Sequence, residues 1–118
     1  VKDPTAVTEA AFQRAVIEYA QRCGWDVRHI HDSRRQVVRK DGSKFYIGDA
    51  LAAGLPDLFM WRGVKLTLAE LKTDKGKLRP AQVAVIDALQ KVADASGGAL
   101  RVAVWRPRDW PEIEGALR

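Results

Sequence analysis

The sequence predicts an α/β layer structure, a small mixed sheet flanked by helices, and three observations carry that prediction. Helical and strand patterns follow one another as helix, strands, helix, strand, the order of a layered α/β domain. The segment Val64 to Lys72 is largely apolar on both faces until its end, as expected of a central strand. A long helical pattern separates it from the next apolar strand, and a crossover of that kind joins parallel strands. The 118 residues suit one domain spanning 1–118. A chain of that length buries roughly two-thirds of its unfolded surface, so one unaided core is feasible.

The elements follow in order. Thr8 to Cys23 reads as an amphipathic helix, with Phe12, Ala15, Val16, Tyr19, Ala20 and Cys23 on one side and Arg14, Glu18, Gln21 and Arg22 opposite. Gly24 is its stop signal. Trp25 to Ile30 alternates as a short strand, Trp25, Val27 and His29 sharing a face. Ser33 to Gly54 is the least legible stretch. Asp41-Gly42 marks a turn that Val37-Val38 and Phe45-Tyr46-Ile47 flank as a hairpin, or the stretch is equally a mobile loop. Asp57 to Trp61 is a strand introduced by Pro56, and Arg62-Gly63 is read as the turn into Val64 to Lys72. Asp74 to Arg79 is a polar connection. Pro80 opens a helix to about Ala95, ended by Ser96-Gly97-Gly98. Leu100 to Trp105 is a strand, and Trp110 to Leu117 a short terminal helix.

Composition narrows the function classes. The lone Cys23 excludes an internal disulfide and a cysteine-built zinc cluster. It suits a reducing compartment, and a cytoplasmic location is the expectation. No apolar run approaches the ~18 residues that span a bilayer. The net charge is +5, and its distribution says more than its size. Arg28, Arg34, Arg35, Arg39, Lys40 and Lys44 stand against Asp32 and Asp41; Lys72, Lys75, Lys77 and Arg79 stand against Asp74. Each cluster is either a solvated loop or part of a face for a polyanion, and the second reading needs both on one side of the fold.

The chemistry concentrates in Gly54-Leu-Pro-Asp57, then Glu70-Leu71-Lys72, then Gln82. Residues two apart in a strand share a face, so Glu70 and Lys72 point the same way, with Leu66 and Leu68. Counted outward from the turn, Asp57 and Glu70 lie at comparable distances, which sets their carboxylates side by side. Two such carboxylates repel and would hold a divalent cation between them. A solvated Glu-Lys ion pair on an edge strand is the alternative for Glu70 and Lys72 alone. The Pro-Asp opposite and the basic loop that follows favour the metal site. Gln82 lies on the inward stripe of its helix with Ile86, Leu89 and Ala93, its amide turned toward Lys72.

Gly54-x-Pro-Asp57, Glu70-x-Lys72 and Gly76-x-Leu78-x-x-x-Gln82 together resemble the virus-type replication-repair nuclease (VRR-NUC) domain. That family belongs to the PD-(D/E)XK superfamily, with restriction enzymes and archaeal Holliday-junction resolvases. Pro-Asp and Glu-x-Lys alone are permissive; the added Gly-x-Leu-x-x-x-Gln makes the likeness specific. The resemblance runs from Glu9-x-x-Phe12-Gln13 to Val102-Ala-Val-Trp105, whereas His31 to Asp49 does not align. It implies a PD-(D/E)XK fold. It also implies that Asp57, Glu70 and the backbone carbonyl of Leu71 ligate Mg²⁺ or Mn²⁺, with Glu9 supporting the metal or its waters. Lys72 would orient the attacking water or stabilise the transition state, Gln82 would help fix Lys72, and products would carry 5′-phosphate and 3′-hydroxyl ends.

Around that centre, Lys75, Lys77 and Arg79 are expected on DNA phosphates near the cut, with Arg34, Arg35, Lys40 and Lys44 extending the footprint. Glu9 is expected to continue the inward stripe of the first helix, whereas Glu18 lies on the polar face. The substrate expectation is branched DNA, above all the four-way junction. A small domain with one active site implies a homodimer for paired cuts. A nuclease for flaps, nicks or duplex ends is the alternative within enzymes, and a non-catalytic DNA-binding accessory module the alternative outside them. His29-x-His31 shares a strand face but lacks a third ligand, Cys23 sits on the apolar stripe, and Gly-Lys here builds no phosphate-binding Gly-x-x-x-x-Gly-Lys loop.

Overall fold

Thr8 starts the first helix by accepting a hydrogen bond from the Ala11 amide on its Oγ1 at 3.1 Å. Helix α1 then runs Glu9–Arg22, and Gly24 ends it with φ +87°, a conformation side chains disfavour. The structure, a computed structural model, describes residues 7–30, 35–47 and 50–118. Strand β1 is Asp26–His29, β4 Leu58–Arg62, β5 Lys65–Leu71 and β6 Leu100–Trp105; helix α2 is Pro80–Ala95 and α3 Trp110–Leu117. Between β1 and β4, β2 (Arg35–Val38) and β3 (Lys44–Ile47) pair antiparallel as a two-stranded sheet of their own. The hairpin reading of Asp41-Gly42 is therefore the one realised.

The main sheet has the order β1-β4-β5-β6. β4 pairs antiparallel with β1 and β5, and β5 pairs parallel with β6 across the α2 crossover. β5 is thus central, as its two apolar faces require. One face carries Leu58, Met60, Ala69 and Leu71, packed with Phe12, Val16 and Ala20 of α1 and with Ile113 and Leu117 of α3. The alternating residues Leu68 and Glu70 face the other way, where α2 packs on β6 and buries Gln82 and Ala93. Cys23 is half-buried beside the core.

The turn between β4 and β5 is Gly63-Val64, not Arg62-Gly63, because Arg62 pairs with Lys65 as the last rung of the ladder. Arg62 has a structural task that its turn-like setting hid. Its guanidinium lies 4.7 Å over the Trp25 ring and donates to the carbonyls of Cys23 at 2.8 Å and Leu117 at 3.1 Å. Trp25 also donates its indole N–H to Leu117 at 2.8 Å. These bonds supply partners to carbonyls that a helix C-terminus otherwise leaves open.

Candidate active site

Register delivers the carboxylate pair. Leu58 faces Ala69, so the next position outward sets Asp57 opposite Glu70. Asp57 Oδ2 accepts from the Leu71 amide at 2.8 Å, a bond the ladder itself does not make. The following rung would oppose Pro56 to Leu71. Pro56 is fully buried and has no N–H to give the Leu71 carbonyl, so the proline ends the ladder beside the carboxylates.

Gly54 explains why the Pro-Asp segment and the later helix form one unit. Its φ is +81°, and a Cβ there would lie 2.5 Å from the Ala81 carbonyl oxygen and 2.8 Å from its carbon. Only glycine lets the loop before Asp57 touch the first turn of α2, the turn that bears Gln82. Gln82 is buried and bridges two elements. Its Nε2 donates to both Glu70 oxygens at 3.2 Å, and its Oε1 accepts from the Arg79 amide at 2.9 Å. The amide is therefore turned to Glu70, not to Lys72 as expected. An ammonium offers no acceptor to the Gln82 NH₂, and the Gln82 oxygen is taken by the helix start.

Glu70 is 1% exposed. Burial first, then the Asp57 charge and the hydrogen bond to Asp57, push its carboxyl up from 4.5 to about 8, against a smaller opposite pull from Lys72 and Arg79. The fold thus keeps a carboxylate pair whose full ionisation it does not itself compensate. A proton or a hard cation relieves that conflict. The donors at hand, two carboxylates and a carbonyl that lacks a strand partner, are the oxygen set Mg²⁺ and Mn²⁺ take. Among the described residues no third histidine, cysteine or carboxylate joins the pair.

The remaining expected residues fall as follows. Lys72 is half-buried one step past β5, its amide bonded to the Trp105 carbonyl at 3.0 Å. Lys75, Lys77 and Arg79 are exposed in the segment between β5 and α2. Lys40, in the hairpin turn, and Lys44, at the start of β3, are exposed, and among the described residues their two-stranded sheet shares no strand pairing with the sheet of Asp57 and Glu70. Arg34 and His31 lie outside the described residues, as does the side chain of Arg35.

Glu9 departs from the expectation of an inward carboxylate. It is the first residue of α1 and exposed, and it lines an open groove with Gln13, Ile17 and Glu18. Burial of the stripe starts only at Phe12, because a helix end overhangs what it packs on. The groove nonetheless opens at the right end of the sheet. Gln13, one turn after Glu9, meets Nδ1 of His29 at 3.3 Å, and Ile30 bonds the Asp57 carbonyl at 2.7 Å.

One residue escaped the sequence reading altogether. Arg106 Nη1 donates to the carbonyls of Thr73 at 2.5 Å and Gly76 at 2.6 Å, fastening the basic segment after Lys72. Only its place directly after the last strand, before Pro107, hinted at it.

The small mixed sheet flanked by helices has the α/β architecture of a PD-(D/E)XK nuclease core. The VRR-NUC domain model matches residues 9–106, and the chain belongs to that nuclease family. Comparisons with curated proteins and with solved structures returned no match.

Proposed function

We propose that the protein is a metal-dependent endodeoxyribonuclease that hydrolyses phosphodiester bonds in branched DNA, with the four-way junction as its preferred substrate and a homodimer as its working form. The observation that carries the metal site is Glu70, buried against Asp57 and bonded by Gln82. Asp57, Glu70 and the Leu71 carbonyl would hold the ion. Bound Mg²⁺ or Mn²⁺ lowers the pKa of a coordinated water and neutralises charge growing on the phosphate. Lys72, half-buried beside Glu70, orients the attacking water or stabilises the transition-state charge. Gln82 fixes the Glu70 carboxylate in place, and Glu9 supports the metal's waters from the groove side. Lys75, Lys77 and Arg79 take phosphates near the cut, with Arg34, Arg35, Lys40 and Lys44 extending the footprint. Branched substrates and the dimer follow from the resemblance to junction resolvases and from two-fold symmetry as the commonest assembly.

The test is incubation of purified protein with labelled duplex, flap and four-way substrates, with and without Mn²⁺, together with light scattering. Metal-dependent paired nicks in the four-way substrate by a dimer are expected. Cleavage confined to flaps by a monomer would overturn the junction assignment, and DNA binding without cleavage in any metal would leave an accessory module.

A further inference from the structure

The segment after Lys72 is held in one conformation, and that conformation has a chemical consequence. Thr73 to Gly76 is a turn closed by the Gly76 amide on the Thr73 carbonyl at 3.1 Å. Arg106 Nη1 gathers the carbonyls of Thr73 and Gly76. A second tether runs from the Arg108 amide to Asp74 Oδ1 at 3.3 Å, holding that carboxylate toward the segment after β6. In a trans peptide the C=O of one residue and the N–H of the next point in opposite directions. With the Thr73 and Gly76 carbonyls drawn to the guanidinium, the amides of Asp74 and Lys77 point away from it. Among the described residues neither amide has a hydrogen-bond partner. They share their stretch of chain with the exposed Lys75 and Lys77 side chains.

We infer that Arg106 is a positioning residue that shapes the Thr73–Lys77 segment into a phosphate seat, in which the Asp74 and Lys77 amides and the lysine side chains grip one backbone phosphate of the DNA strand beside Lys72. Backbone N–H groups turned outward from one short turn can share an anion, and lysines add charge beside it. The seat would hold a phosphate neighbouring the scissile one, because the same segment begins at Lys72 beside the carboxylate pair. The inference rests on the nuclease reading above and adds to it a defined contact and the residue that builds it.

Asp74 occupies the second position of the turn, where proline is well accommodated. Asp74→Pro therefore deletes the amide donor within the turn, and Asp74→Ala deletes the carboxylate while keeping the donor. At fixed salt and saturating Mn²⁺, Asp74→Pro is expected to raise the KM for DNA about tenfold relative to Asp74→Ala, an effect of about 1.4 kcal/mol on binding, with kcat changed less than threefold. A scan of substrates with one neutral methylphosphonate at a time should find a phosphate whose neutralisation weakens wild-type binding. The same neutralisation should cost much less in Asp74→Pro and in Arg106→Gln. Arg106→Lys, which keeps the charge but shortens the reach, should sit between Arg106→Gln and wild type.

Equal KM values for Asp74→Pro and Asp74→Ala, or additive penalties at every phosphate position, would overturn the seat. Wild-type behaviour of Arg106→Gln would remove Arg106 from it. Should Arg106→Gln fail to fold, the Asp74 pair and the wild-type scan decide alone. A wild-type protein that cleaves no DNA refutes the nuclease reading itself, whereas cleavage with indifferent Asp74 variants refutes only the seat.

Discussion

Replacing Glu70 with glutamine should abolish cleavage and, in metal-free protein, stabilise the fold at alkaline pH. The wild-type carboxyl is lifted from 4.5 to about 8 by burial and by Asp57. Between those values the native chain keeps a proton that the unfolded chain has released, so wild-type stability falls as pH rises through the window. The stability this proton confers is present at low pH and is lost as pH passes the folded value. From pH 5.5 to 8.5 the slope of 1.36 kcal/mol per pH unit accumulates to about 3 kcal/mol, or roughly 10 °C in melting temperature for a domain of this size. Glutamine carries no titration, keeps an acceptor for Gln82 and offers its NH₂ to Asp57. The difference between wild-type and Glu70→Gln melting curves should therefore widen with pH in favour of the variant. Saturating Mn²⁺ should reverse the order by stabilising the wild type most above pH 8 and the variant little. Thermal melts at half-unit pH steps, in chelator and in Mn²⁺, measure this directly. Parallel pH profiles in chelator would refute the argument, because they would mean that Glu70 ionises in the fold at no cost.

Three further outcomes are expected. Asp57→Asn and Lys72→Ala should each abolish cleavage while leaving DNA binding by gel shift largely intact, since phosphate contacts elsewhere supply most of the affinity; loss of binding in step would make both residues structural. Glu9→Gln should slow cleavage at least tenfold at saturating DNA and matched Mn²⁺, about 1.4 kcal/mol of transition-state stabilisation, against less than twofold for Glu18→Gln. Equal rates would reduce Glu9 to an exposed first-turn carboxylate favoured by the helix dipole. Gly54→Ala should lower stability by about 3 kcal/mol in denaturant unfolding, from the clash with Ala81 and the positive φ, and a neutral result would show that α2 yields there without cost.

The order of helices and strands was legible in the sequence because each element carries its own period and its own punctuation. Thr8, Gly24, Pro80 and Gly97 mark helix ends by local chemistry that needs no tertiary partner. The central place of β5 and its parallel pairing with β6 followed from apolar alternation and from the length of the crossover. The nearness of Asp57 to Glu70 was readable because a hairpin converts sequence distance from the turn into register, but the exact pairing was not: a turn at Arg62-Gly63 would oppose Asp57 to Leu68, and the turn at Gly63-Val64 moves the register by two and sets Asp57 opposite Glu70.

What sequence could not decide were the contacts between segments far apart in the chain. Whether Gln82 reaches Lys72 or Glu70 depends on how α2 sits over the sheet, which Gly54 governs through its approach to Ala81. Glu9 lies at the angle of the apolar stripe, yet its exposure depends on where the helix outruns the residues beneath it. Arg106 finds its carbonyls more than two dozen residues upstream, only because β5 and β6 are parallel neighbours and end together. Periodicity and turn chemistry are properties of a few consecutive residues, and they determined the elements and the chemical inventory. Burial, desolvation of Glu70 and the partners of each polar group depend on packing distances of a few tenths of an ångström, and those exist only in the folded chain.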